Sequence, residues 1–191
     1  MVDLSFAGPF ALARDECVSS IEGSPTSKKG GVYLWTVRTS RGELVSYVGQ
    51  TGRRFATRMR EHLVSLLGGM YPIYDSNRLR LGEKDIIWPG CDTRGGIPGF
   101  EEYVSRLDEL AGKLARYVKL IRFWAAPLEA DRRVRERVEA AIIEHLRTQP
   151  PPAGELLGSD LRCRPRKRSE PVILLRCRAA GILGMPAELK V

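Results

Sequence analysis

The chain has 191 residues, 31 Lys plus Arg against 23 Asp plus Glu, a net charge of +8 and 43% hydrophobic residues. That apolar fraction excludes disorder throughout and suffices for one sizeable core. No apolar run approaches the length of a membrane span, and the N-terminus does not read as a secretory signal.

In chain order, residues 1–29 read as a mixed N-terminal extension ending in the loop-like run from Gly23 to Lys29. Residues 31–37 and 44–49 are rich in β-branched and aromatic residues, with Ser40-Arg41-Gly42 between them, and predict a β-hairpin. In that hairpin Tyr33 falls opposite Tyr47 or Val48. The first register also puts both phenols on one face.

Residues 52–67 predict a helix. At about 100° per residue, Phe55, Met59, Leu63, Leu66 and Leu67 form one stripe, with His62 inside its edge and Arg58 just outside, one turn earlier. Gly68-Gly69 ends it. Residues 70–99 look like a long insertion rich in Pro, Gly and Asp. A helix over 101–116, a strand over 117–126 and a strong helix over 131–147 follow, and 172–175 predict a last short strand. The expected architecture is α+β. It comprises a domain over 30–150 with an insertion at about 68–100, then a basic extension over 151–191.

Within the 131–147 helix, Val134, Val138, Ile142 and Leu146 make an apolar stripe, and Glu139 falls between Leu146 and Ile143 on the wheel. A carboxylate among such neighbours costs several kcal/mol unless it is paired or bound to a cation. Either Arg135, one turn earlier, pairs with it, or it sits at the floor of a cleft and holds a metal. His145 reads as a packed or cleft-edge histidine.

The four cysteines, Cys17, Cys91, Cys163 and Cys177, form no CxxC pair, and the chain has two histidines. A zinc cluster is not expected, and free thiols in a reducing cytoplasm are. The positive charge is uneven. Residues 162–178 hold seven basic residues and one acid, including Arg162, Arg164, Arg166, Lys167 and Arg168. A second group, Arg53, Arg54, Arg58 and Arg60, opens the first long helix. Two basic segments suit a polyanion such as double-stranded DNA.

Gly31-Val32-Tyr33 and Tyr47-Val48-Gly49 on opposite arms of one hairpin, followed by Thr51, Arg58 and His62, resemble the GIY-YIG nuclease family. The resemblance is close over residues 30–67 and looser over 117–147. It implies a small three-stranded antiparallel sheet flanked by helices, with Tyr33, Tyr47 and Arg58 in a cleft. It also implies that Glu139 binds one Mg²⁺ (or Mn²⁺). His62 matches a histidine found in some branches, and Tyr33 would activate water while Tyr47 orients the nucleophile or the phosphate.

The family's late asparagine has no counterpart: Asn77, the chain's only asparagine, precedes Glu139, and Asp160 is a candidate for its place. The implied activity is metal-dependent DNA endonuclease, with a type II restriction enzyme favoured and a homodimer as one way to cut both strands. The other readings are a repair or mobile-element nuclease of the family, or a catalytically silent nucleic-acid-binding module.

Overall fold

The computed structural model describes residues 2–12, 18–91, 99–158 and 163–191. Two short strands, β1 (Val2–Ser5) and β2 (Ala7–Ala11), precede two 3₁₀ turns over 21–28. Next come the long strands β3 (Gly31–Thr39) and β4 (Gly42–Thr51), and helix α1 (Phe55–Leu67). The segment after α1 holds β5 (Ile73–Tyr74), α2 (Ser76–Arg80) and β6 (Ile86–Trp88). Helices α3 (Phe100–Ser105) and α4 (Leu107–Leu120) lead to β7 (Ile121–Pro127) and α5 (Arg132–Arg147). Strands β8 (Leu174–Arg178) and β9 (Glu188–Lys190) complete the mixed α+β fold.

The central sheet has four antiparallel strands in the order β2-β7-β3-β4, where three were expected. The additional strand comes from the N-terminal extension. Ala-Gly-Pro-Phe-Ala shows no period-two pattern, and Pro9 is tolerated because β2 lies at the sheet's edge. A second sheet joins the two ends of the chain, with β1 parallel to β8 and β9 antiparallel to β8. β5 and β6 pair with each other.

Near the turn, from Thr36 to Thr39, the hairpin keeps the second expected register, but around Tyr33 it differs from both. Tyr33 lies opposite Gly49 and Trp35 opposite Tyr47, and the pairing then shifts so that Thr36 faces Val45. Ser46 is the extra residue of a β-bulge, which resets the alternation. Leu44 and Tyr47 therefore share one face although three residues apart, and Val45 and Val48 share the other.

Two further expectations are corrected. The helix over 101–116 continues to Leu120 after a break at Arg106, because Leu110, Leu114, Tyr117 and Val118 extend one buried helical stripe. That packing overrides the local β preference of Tyr117-Val118. The 70–99 segment is also not merely a loop, since Ile73, Leu79 and Trp88 are buried in the core.

The sheet separates two apolar layers. On one face β3 and β4 present Tyr33, Trp35, Val37 and Leu44 to α1, α4 and the 70–91 segment. On the other, Val32, Leu34, Val45 and Val48 pack with Val138, Ile142, Ile143 and Leu146 of α5 and with Leu4 and Leu175 of the second sheet. Among the described residues, no helix is long and apolar enough to cross a membrane.

Candidate functional site

Glycines set the position of the two tyrosines. Gly31 has φ +152°, and a Cβ there would run into the Ala126 carbonyl of the neighbouring β7. Gly49, directly across from Tyr33, leaves room for the phenol: a Cβ at 49 would stand 2.5 Å from Tyr33 Oη and 2.7 Å from the Tyr47 ring. The two rings stack with centroids 6.1 Å apart. Tyr33 has no exposed surface, whereas Tyr47 is half-buried and is the phenol that reaches the cleft.

Helix α1 brings up the next two groups. Its first N–H, that of Phe55, donates to the Lys29 carbonyl at 2.8 Å, which ties the helix start to the loop before β3. Phe55, Met59, His62 and Leu66 form its buried stripe, and Leu67 is exposed. Arg58 Nε donates to Tyr33 Oη at 3.2 Å, and its Nη1 pairs with Glu61 at 3.2 Å. His62, 3% exposed, has Nε2 2.7 Å from Tyr33 Oη and Nδ1 3.0 Å from Tyr71 Oη.

Burial, and then the Arg58 cation, push the His62 imidazole down to about 4. It is neutral at pH 7, with one nitrogen donating and one accepting. A hydrogen-bonded chain thus runs from Tyr33 through His62 to Tyr71, with the Tyr47 ring stacked beside its first member. Burial raises the Tyr33 phenol far above its ordinary value, with Tyr47 adding to the rise and Arg58 opposing it. Burial, and then Glu139, raise Tyr47 as well.

Helix α5 starts at Asp131, whose carboxylate accepts from the Val134 N–H at 2.8 Å. The helix lies on the far face of the sheet, yet Glu139 comes close enough to the β4 backbone at Gln50 for that N–H to lower its pKa. Burial first, and Glu136 second, push its carboxyl up to about 7, while Gln50 and Arg58 pull the other way. Tyr33, Tyr47, Arg58 and His62 are thus neighbours in one cluster, and Glu139 lies near enough to raise Tyr47 and to be lowered by Arg58.

The expected Arg135 partner is engaged elsewhere. Its guanidinium donates to the Gln50 side chain at 3.3 Å and to the Ala130 carbonyl. Glu139 makes no ion pair with any described residue. Glu136, one turn away, is neutralised by Arg132 at 2.9 Å and by Arg164 at 3.3 Å. A half-buried carboxylate without an ion pair among the described residues is harder to ionise than a solvated one. That is the electrostatic condition of a cation site. No group of three or more His, Cys, Asp or Glu able to hold a metal occurs among the described residues.

The basic residues are less free than a count suggests. Arg53 is clamped bidentately by Glu61 at 2.5 and 2.7 Å, and Arg60 pairs with Glu22 at 2.8 Å. These pairs are exposed, worth about 0–1 kcal/mol each, so phosphates can compete for both guanidinium groups. Arg54 is exposed beside them.

Farther along, Arg164, Arg166, Lys167 and Arg168 are exposed, and Arg166 donates to the Glu170 carbonyl at 2.7 Å. Arg133 of α5 grips the Glu170 carboxylate at 2.6 and 2.7 Å, which holds this basic stretch against the helix. Arg162, Asp160 and Cys17 lie outside the described residues. Cys91 and Cys177 are free thiols, and Asn77 is exposed on α2.

Sequence reasoning missed Tyr71, which sits in an irregular stretch with no periodicity to mark it. It also missed Glu61, whose i,i+3 spacing from Arg58 was a usable signal. Comparison with models of known protein families, with curated proteins and with solved structures yields no match to this chain.

Proposed function

We propose that this protein is a metal-dependent DNA endonuclease of the GIY-YIG type, and that the cleft of Tyr47, Tyr33, Arg58, His62 and Glu139 hydrolyses a phosphodiester bond. One observation carries the reading: Glu139 is a half-buried carboxylate with no ion pair among the described residues, close enough to raise the Tyr47 phenol and to be lowered by Arg58. The donor set fits a divalent ion such as Mg²⁺, because one carboxylate leaves its other ligands to water and phosphate. When bound, the ion supplies Lewis-acid stabilisation of the phosphoryl and leaving oxygens.

The chain's own residues divide the remaining work. Arg58 carries a fixed positive charge beside the phenols, suited to a phosphate's non-bridging oxygens. Tyr47, the half-buried phenol, meets the attacking water in place of Tyr33, which has no surface to offer. Neither phenol is a base by itself at neutral pH, since burial raises both. Each therefore passes on a proton as it receives one. The water's proton goes to Tyr47 Oη, that of Tyr47 to Tyr33 Oη, and that of Tyr33 to His62 Nε2. Arg58 Nε donates to Tyr33 Oη and fixes the phenol's orientation for that transfer. Tyr71 holds the other imidazole nitrogen and fixes the ring's orientation.

A stand-alone restriction-type enzyme is the favoured assignment. The 70–91 segment and the basic stretch after α5 are packed into the same fold and not strung on a linker. Cutting both strands then needs a second copy of the chain or two successive nicks. The test is digestion of plasmid DNA with Mg²⁺ against EDTA, on linear and branched substrates. Discrete fragments support restriction, and nicks confined to forks or junctions support a repair or mobile-element nuclease. DNA binding with no cleavage under any divalent ion would leave only the silent binding module.

A further inference from the structure

Beside the phenols lies a cavity of about 260 Å³ that the hydrolytic scheme does not use. Its walls are largely aromatic: Trp35, Tyr47, His62, Tyr71, Tyr74 and Tyr117 all line it. Tyr47 and His62 belong to both the cavity and the cleft, so an occupant would sit next to the reacting phosphate. Tyr74 meets Tyr117 edge-on at 5.6 Å between centroids, and Trp35 meets Tyr71 edge-on at 6.5 Å. The volume is below the roughly 300–1,000 Å³ of drug-sized sites and suits a single planar ring system.

Two features argue against an aliphatic occupant. Hydroxyl-bearing residues, Ser46 and four tyrosines, are spread around the lining. The Trp35 indole is 6% exposed, and its Nε1–H is buried with no hydrogen-bond partner. A buried donor left unanswered is costly, and a base carbonyl or ring nitrogen is the acceptor it lacks. Tyr71 and Tyr74 come from the segment after α1, and Leu156 from the turn after α5. The cavity is thus closed on one side by the hairpin and α1 and on the other by segments beyond them.

We propose that this cavity receives one nucleobase, turned out of the DNA stack, from a nucleotide adjoining the scissile phosphate. The proposal rests on the nuclease reading for its substrate. The base stacks on the aromatic walls, as in enzymes that extrude a nucleotide and in single-strand binding platforms. One base is thereby recognised by shape and edge contacts outside the duplex, while Arg58 and Glu139 address the phosphate next to it.

The experiment titrates the full chain, without metal, with the four 2′-deoxynucleoside 5′-monophosphates and with 2-deoxyribose 5-phosphate as the baseless control, followed by calorimetry. At least one mononucleotide is expected to bind about tenfold or more tightly than the sugar phosphate. Leu156→Trp, which fills the cavity, should abolish that difference. Tyr74→Ala, which removes a half-buried wall, should weaken binding about tenfold and remains informative if Leu156→Trp fails to fold by circular dichroism.

Plasmid cleavage with Mg²⁺ is measured in parallel. Mononucleotides that bind no better than the sugar phosphate, in a protein that cuts plasmid, overturn the base pocket and leave the nuclease reading standing. Base-dependent binding unaffected by either folded variant also overturns it. Base-dependent binding that both variants weaken, in a protein that cuts nothing, supports the cavity as a nucleotide site and sinks the nuclease reading.

Discussion

On the face covered by α5, Val32, Leu34, Val45 and Val48 meet Val138, Ile142 and Leu146, aliphatic against aliphatic. On the opposite face of the same two strands, Tyr33, Trp35 and Tyr47 meet Phe55 and His62, and all of these except Phe55 bring a polar atom into the layer. Aliphatic contact is non-directional, so small changes there cost stability in proportion to the volume lost. Buried hydroxyl and imidazole groups need partners in fixed directions, so packing on the second face also sets hydrogen-bond geometry. The faces communicate at the β4 edge, where Glu139 of the aliphatic layer's helix meets Gln50.

Substitutions can break that contrast, beginning with the largest expected effect. Glu139→Gln should lower Mg²⁺-dependent plasmid cleavage by about 10³-fold or more while a gel-shift assay shows DNA binding intact. Its stability should move the other way. The folded-state carboxyl titrates near 7, above its unfolded value of 4.5, so the cost of ionising it grows as pH rises through about 7. In EDTA the variant should therefore be more stable than the parent at alkaline pH, by about 1–3 kcal/mol, with the gain vanishing in acid. A Glu139→Gln variant less stable than the parent in alkaline EDTA would refute a carboxylate left half-buried without an ion pair.

Arg58→Ala removes a charge from the phosphate and a donor from Tyr33, and should lower kcat by about 10²–10³-fold in single-turnover cleavage. His62→Gln keeps some hydrogen bonding but cannot accept the relayed proton, and should cost about 10–100-fold. It also carries a pH signature. The imidazole's folded pKa, about 4, lies below its unfolded 6.5, so the unfolded chain takes up the proton first. The parent should lose stability as pH falls from 6.5 through about 4, and His62→Gln should lack that component in denaturation at matched pH values.

The smallest effects belong to the other face and to the rim. Ile142→Val should cost about 0.5–1.5 kcal/mol in denaturant unfolding and leave cleavage unchanged. If cleavage falls with it as steeply as with His62→Gln, the two faces are not functionally separate. Arg60→Ala breaks only an exposed pair with Glu22. It should change stability by less than about 0.5 kcal/mol, while the salt dependence of DNA binding loses about one unit of slope.

Much of the site was legible in the residues themselves. The stripe of α1 placed His62 inside its apolar edge and Arg58 beside it, and both meet Tyr33. The stripe of α5 marked Glu139 as an acid in apolar company. Its pairing with Arg135 does not form because Arg135 donates instead to the Gln50 side chain and the Ala130 carbonyl. Tyr71 stayed hidden because nothing in an irregular stretch tells which side chain turns inward.

Local spacing determined what is periodic in this protein: the hairpin, the two amphipathic helices and the odd acid on the second of them. Periodicity expresses which residues must leave water, and that preference is already written in the order of polar and apolar residues. Tertiary structure alone decided the bulge at Ser46, the edge strand from residues 7–11, the orientation of Tyr47 rather than Tyr33 toward the cleft, and the aromatic cavity. Each of these depends on contacts between distant segments, where the fit of a particular side chain into a particular gap outweighs its local preference.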